Sequence, residues 1–291
     1  MRRVYRGMDC MSPVDRLSNT PLVLEAGRAD RQYWPDIWRY RGLLFILAWR
    51  DVAVRYKQTA IGVVWAFIRP FLTMVVFTVV FGHLAKLPTT NGIPYAIVVI
   101  GGLLPWTLFS SVLSEASASV ISNGNLISKV YFPRMIVPLA TVLVVMIDFA
   151  VSLSILAGLM IWYVIVPGWQ LLLLPFFVLL ALLASLGPAI WAAAIVVKYR
   201  DFRFVVPFVL QFGLYVSPVG FESSIVPEQW RLVYNLNPMV GITDGFRWCI
   251  VGGASPIYLP GFALSLVVTA GFLWLGISTF RRIERGFADL I

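Results

Sequence analysis

Any active site in this 291-residue chain would have to be built from very few groups. It has one histidine, His83, and two cysteines, Cys10 and Cys249, too far apart in sequence to suggest a disulfide framework or a metal-ligand cluster. Its four lysines, Lys57, Lys86, Lys129 and Lys198, are none of them followed by Ser or Thr, so the chain holds no G-x-x-x-x-G-K-[ST] phosphate loop. Two carboxylates stand in or beside apolar segments. Asp148 lies within a long apolar run, where a charge costs about 2.5–3.5 kcal/mol and turns toward a bundle interior or water. A structural hydrogen bond is favoured for it over a transport-pathway role, because a proton relay needs more titratable partners. Glu115 is expected to snorkel or to pair with a cation.

Aromatic spacing is the more informative pattern. Phe67, Phe71, Met74, Thr78 and Phe81 recur at 4-3-4-3 intervals, and Phe204, Phe208, Phe212 and Tyr215 at 4-4-3, each forming one stripe of a helix. Such stripes can be ordinary packing or lipid contact. They can also stack on the C–H faces of sugar rings without fixed register, as a conducting surface requires weak binding at many places. Arg69, before Pro70, can reach a headgroup layer or simply snorkel.

These residues must be positioned by an all-α membrane architecture. Hydrophobic residues make up 59% of the chain and charged ones 13%, with a mean hydropathy of +0.84. A soluble fold of this length cannot hide that much apolar surface, which excludes a soluble enzyme, a disordered tail or a free nucleic-acid binder. Six apolar segments approach the length needed to cross the hydrocarbon: 65–84, 95–112, 137–164, 171–197, 204–219 and 259–280. The fifth is short, and Gly101-Gly102 and Pro105 interrupt the second. Of the 23 Lys and Arg residues, 20 fall on the side holding both termini, and only Lys86, Arg231 and Arg247 on the other. That asymmetry places both termini in the cytoplasm and accounts for the net charge of +9 without nucleic acid.

The remaining pieces do not span. Residues 1–33 are polar and basic, and read as a mobile cytoplasmic tail without a cleavable signal. Over 34–58, Trp34, Trp38, Phe45, Trp49, Val52 and Tyr56 recur at helical spacing behind Pro35, predicting one interface helix, either an anchor alone or an anchor that also meets a partner. The segment between spans two and three sets Lys129 and Arg134 beside Tyr131 and Phe132, a mixture suited to docking a second protein, with a solvated connector as the alternative. Between spans five and six, two short stretches flank Asn235-Leu236-Asn237-Pro238. They are too short to cross and must be re-entrant or interfacial, forming an outer lid or a passive hairpin.

Several blocks carry a family resemblance. RYKQTAIGVVWAFIRPFLTMVVFTVVFG (55–82), GGLLPWTLFSSVLSEASASVISNGNLISKVYFPR (101–134), KYRDFRFVVPFVLQFGLYVSPVGF (198–221) and YNLNPM (234–239) resemble, in order, the polysaccharide-exporting ABC-2 permeases, which carry O-antigen, capsule or teichoic acid. The resemblance covers about residue 33 to the C-terminus. It implies a homodimer of six-span subunits in the bacterial inner membrane. Each subunit would bind a separate cytoplasmic ATPase, two copies in all, with ATP and Mg on that partner and no cofactor on this chain. It further implies a coupling helix in the span two–three loop (Asn125, Lys129, Tyr131, Phe132, Arg134), an N-terminal interface helix, and an outer re-entrant pair gating exit. The pore would be lined by spans one and five (Phe67, Phe71, Phe81, Phe204, Phe208, Phe212, Tyr215). The cargo implied is a glycan on a polyprenyl-diphosphate lipid, with Arg55, Lys57, Arg69, Arg200 and Arg203 as candidates for its diphosphate. A drug- or lipid-efflux permease of the same broad group is the nearest alternative. An integral membrane glycan ligase or acyltransferase would need a His/Asp/Glu cluster at one face, which the sequence lacks.

Overall fold

The computed structural model describes residues 29–57, 62–89, 92–166, 168–253, 255, 257–284 and 286–287; most of the expected N-terminal tail lies outside them. The described residues form helices and no strands. In chain order these are α1 (Ala29–Arg39), α2 (Arg41–Lys57), α3 (Gly62–Phe77), α4 (Tyr95–Ser122), α5 (Gly124–Ile127), α6 (Ile136–Trp162), α7 (Leu174–Lys198), α8 (Phe202–Val216), α9 (Glu228–Tyr234), α10 (Pro238–Ile250) and α11 (Leu259–Glu284). A π-helical continuation, Thr78–Leu84, extends α3, and a 3₁₀ turn, Trp169–Leu173, leads into α7. Five helices are long and apolar enough to cross a membrane: Val64–Leu84, α4, α6, Trp169–Lys198 and α11. The apolar helix α8 has 15 residues, about 22 Å at the α-helical rise, and falls short of that length.

Helix α4 is the hub. Eighteen of its 28 residues are buried, and α3, α6, α7, α8 and α10 all pack on it. The sequence predicted a second span ending near 112 and interrupted at Gly101-Gly102 and Pro105. The structure corrects both points: α4 runs unbroken through these residues and on to Ser122. The polar stretch after Val112 contains no Gly or Pro, so nothing stops the helix before Asn123-Gly124. The glycine pair is there for space. A Cβ on Gly102 would stand 2.6 Å from Nη2 of Arg247 and 2.7 Å from the carbonyl oxygen of Val219.

Small residues also set the α7–α11 contact. A Cβ on Gly276 would lie 2.2 Å from the Gly187 carbonyl oxygen, so only glycine lets these backbones meet, as at other membrane-helix crossings.

The N-terminal element departs from the single helix predicted over 34–58. It is two helices, broken at Tyr40, and the first begins before Pro35. Leu47 and Ala48 bury against α6, while Trp38, Phe45 and Trp49 stay 60–73% exposed. That exposure suits lipid contact.

Helices α5 and α10 lie at opposite ends of the bundle. Asn237 starts α10, its side chain accepting from the Met239 amide at 3.0 Å with Pro238 at the first helical position. Twelve of the 13 residues of α10 are buried, among α4, α7 and α11. It is therefore no passive surface hairpin. Met239, Ile242, Phe246 and Ile250, the predicted helical set, are all buried.

Candidate functional site

The two predicted aromatic stripes behave differently. On α8, Phe204, Phe208, Phe212 and Tyr215 are 55–69% exposed, and the Phe208 and Phe212 rings lie 4.5 Å apart. The opposite face of α8 holds it in place: Val206 is buried, and Gly213 fits under the Trp106 ring, where a Cβ would come within 2.6 Å. The whole predicted stripe thus points away from the chain's own helices. The α3 stripe splits. Phe67 and Phe71 are exposed and stacked, their centroids 6.0 Å apart, whereas Met74 is buried. Phe81 packs with Phe77 on Gly220, beyond the end of α8. A 3.5-residue repeat drifts around a 3.6-residue helix, and the π turn at Thr78–Leu84 adds to the rotation.

At the α5 end, ion pairs join the helices. Arg55 on α2 bridges Glu115 of α4, at 2.6 Å, and Asp148 of α6, and the Tyr56 hydroxyl also donates to Asp148. Burial would lower the Arg55 pKa, but Glu115 and Asp148 together raise it. Burial first, then Asp148, pushes the Tyr56 phenol up to about 12. Asp148 therefore makes the structural hydrogen bonds expected of it, Glu115 pairs with a cation, and Arg55 is committed to two carboxylates. Lys57 and Arg69 are exposed, at the end of α2 and within α3. Arg50 ties α2 to the α4–α5 junction by donating to Oδ1 of Asn123 at 2.8 Å.

The residues predicted to couple to an ATPase also divide. Asn125, Lys129 and Tyr131 are exposed, with Tyr131 at 63%. Phe132 is buried, packed with Ile136 and Leu47 in one cluster. Arg134 turns to the C-terminal end of α11. Its amide donates to Oε1 of Glu284 at 2.7 Å, its guanidinium donates to the Glu284 carbonyl, and it lies 5.6 Å over the Phe287 ring. Tyr33 donates to the other Glu284 oxygen at 2.7 Å, and Arg281 stacks on Tyr33 at 5.1 Å. Burial and then Glu284 hold the Tyr33 phenol well above its ordinary range. This clasp joins α1, the α5–α6 loop and α11, and nothing local in sequence announces it, since Arg134 and Glu284 are 150 residues apart.

Sequence reasoning also missed Arg247. This arginine on α10 is 1% exposed, yet donates to three backbone carbonyls: Val98 at 3.0 Å, Pro218 at 2.6 Å and Val219 at 3.1 Å. Asp244, one turn earlier, lies 4.0 Å from its Nη1 and accepts from Ser223 at 2.6 Å. Burial lifts the Asp244 carboxyl to about 6, with Arg247 and Ser223 pulling the other way. The Asn235–Pro238 turn has a related role: Tyr234 donates to the Val216 carbonyl at 2.9 Å and Asn237 to the Ser217 hydroxyl at 2.9 Å. Together these bonds fix α9 and α10 to the end of the aromatic helix α8. The available signal was an arginine three residues after an aspartate in a short, mostly apolar stretch, a spacing that puts both charges on one helix face.

The sequence profile of the ABC-2 type transporter family matches residues 42–251, most of the chain, from α2 through α10. The chain belongs to the ABC-2 type transporter family. It is similar to "O-antigen export system permease protein RfbA" of Myxococcus xanthus, 30% identical over 258 residues, covering 88% of this chain and 98% of that protein. A Klebsiella pneumoniae protein of the same name is 24% identical over 86% of this chain and 95% of its own length. "Polysialic acid transport protein KpsM" of Escherichia coli is 21% identical over 81% of this chain and 91% of its own. As an ABC-2 protein this chain is a multi-pass membrane protein, and the family profile spans α2, α4, α6, α8 and α10, the elements that carry Arg55, Glu115, Asp148, the α8 stripe and Arg247.

Proposed function

We propose that the chain is the membrane permease of an ATP-driven exporter that moves a lipid-linked polysaccharide, an O-antigen or a similar surface glycan, across the bacterial inner membrane. One observation carries the reading. In a chain similar over most of its length to O-antigen and polysialic acid permeases, α8 leaves four aromatic residues uncovered in a continuous row. Two copies of the chain, with the α3 and α8 faces turned toward one another, enclose a conduit on which sugar rings slide. In this reading α8 and the segment after it complete a sixth crossing, both termini are cytoplasmic, and the α5 end faces the cytoplasm.

The force comes from a second gene product. A cytoplasmic ATPase, one per subunit, holds ATP and Mg, and meets Asn125, Lys129 and Tyr131 around α5. Motion of that loop reaches α11 and α1 through Arg134, Glu284 and Tyr33, and α2 through Arg50 and Asn123. The helix pair α1–α2 lies in the interface, and α9–α10 form the re-entrant outer gate, attached to α8 through Arg247 and Asn237. The cargo is a glycan on a polyprenyl-diphosphate carrier.

Deleting the gene tests this. Surface glycan should disappear while lipid-linked glycan accumulates on the cytoplasmic leaflet, and the wild-type gene should restore the surface signal. Unchanged surface glycan in the deletion strain would refute the reading.

A further inference from the structure

A cleft lies at the α5 end, between the α4–α5 corner and the start of α8. It has a volume of about 480 Å³ and is lined by Ser122, Asn125, Ser128, Val197, Arg200 and Arg203, among others. Arg200 and Arg203 are both exposed, and no carboxylate among the described residues pairs with either. The Arg203 guanidinium is held over the Phe204 ring at 5.2 Å. The Asn125 side-chain amide lines the same cleft and makes no hydrogen bond among the described residues. The Ser122 and Ser128 hydroxyls already donate to the Ala118 and Asn125 carbonyls, which leaves two unneutralised guanidinium forks and one unused amide on the same cleft as an anion site, and the fork geometry matches phosphate oxygens.

What the anion is attached to follows from where the cleft opens. The exposed aromatic face of α8 starts at Phe204, next to Arg203, and continues through Phe208, Phe212 and Tyr215 for roughly 17 Å at the helical rise. A phosphate seated on the arginines sets the first units of its apolar chain against Phe204, at the foot of that row, and leaves the rest of the row to the sugars. A carboxylate on a soluble protein would leave Phe204 bare.

The geometry points to this cleft as the seat of the phosphate head of a lipid, clamped between Arg200 and Arg203 at the foot of α8 and Asn125 of α5. This rests on the export reading and deepens it. Of the cations proposed for the diphosphate, Arg55 is consumed by Glu115 and Asp148, while this pair stands free in a cleft that touches the coupling element. An occupied site bridges α8 to α5, so the ATPase senses loading. The same phosphate chemistry is offered by a bilayer phospholipid and by a phosphate-linked cargo carrier.

The test uses the permease–ATPase complex in phosphatidylcholine nanodiscs. Retained lipid is counted by native mass spectrometry, and ATPase rate is followed during titration with polyprenyl diphosphate, phosphatidylglycerol, polyprenol or inorganic diphosphate. Polyprenyl diphosphate should be retained and stimulate, while polyprenol and inorganic diphosphate should do neither. The Arg200→Gln/Arg203→Gln variant should need at least tenfold more lipid for equal occupancy, and the Lys/Lys variant should recover part of the loss. Equal response to phosphatidylglycerol, lost in the same variant, supports the site and assigns its occupant to the bilayer. Equal retention by wild type and the Gln variant overturns the site, whatever the ATPase does. Lipid retention through the arginines without glycan export sinks the export reading and leaves the site standing; export with an indifferent Gln variant does the reverse.

Discussion

Replacing Arg247 with Met should loosen the α10 end of the molecule more than any comparable change on its surface. The side chain is 1% exposed and links α10 both to the Val98 carbonyl of α4 and to the Pro218 and Val219 carbonyls after α8. Methionine fills similar volume but leaves the Pro218 and Val219 carbonyls without the arginine's donors, strips Val98 of its bond beyond the α4 helix, and leaves Asp244 without the Arg247 cation. Breaking a buried pair by removing one partner costs about 3–5 kcal/mol, and charged hydrogen bonds contribute about 1.5–3 kcal/mol each, overlapping rather than additive. At about 2–4 °C per kcal/mol for a chain of this size, the melting temperature should fall by roughly 10 °C. The assay is thermal denaturation in detergent read by size-exclusion fluorescence. Arg247→Lys should recover only part of the loss, because one ammonium cannot reach Val98 and Pro218 together. Adding Asp244→Asn to Arg247→Met should return several degrees, since position 244 then carries no uncompensated buried charge. An Arg247→Met protein melting with the wild type, or a double variant no better than the single one, would refute the reasoning.

Three further outcomes follow from other parts of the molecule. Phe208→Ala/Phe212→Ala should lower glycan export severalfold with folding and ATPase binding intact, because both rings are more than half exposed and hold no core together; surface-glycan quantification beside co-purification reads both. Lys129→Glu/Tyr131→Ala should reduce ATPase co-purification without lowering the melting temperature, whereas Arg134→Glu should lower the melting temperature, because it removes the guanidinium's bond to the Glu284 carbonyl and its seat over Phe287 and sets a second carboxylate beside Glu284. Gly276→Val should prevent α7 and α11 from meeting, since its first side-chain carbon would fall 2.2 Å from a backbone oxygen, and the variant should elute as aggregate.

The parts of this fold that were legible in sequence are those set by composition and local period. Long apolar runs mark the crossing helices, since only bilayer or core can take them. The α8 stripe is regular because α8 packs by one face, with Val206 buried and Gly213 against Trp106 of α4, which leaves a clean 4-4-3 row outside. What stayed hidden depends on distant partners. Gly101-Gly102 reads as a helix break until Arg247, some 145 residues on, is seen to need that space. Arg134 and Phe132 read as docking residues like Lys129 and Tyr131, yet Glu284 and the α2–α6 packing draw them inward. Arg55 reads as a free cation because Glu115 and Asp148 come to it from two other helices. At the break the one local sign is Gly42, two residues after Tyr40, and a lone glycine beside a continuing apolar period does not mark an end between α1 and α2.

The central claim is that this chain is a passive conduit driven from outside. Reconstituting it in proteoliposomes with its ATPase, supplied with lipid-linked glycan on the nucleotide side, tests that directly. Glycan should become protected in the lumen only when ATP is present, and a Walker-lysine variant of the ATPase should abolish this. ATP hydrolysis by the permease alone, or glycan transfer that continues with the inactive ATPase, would contradict the account.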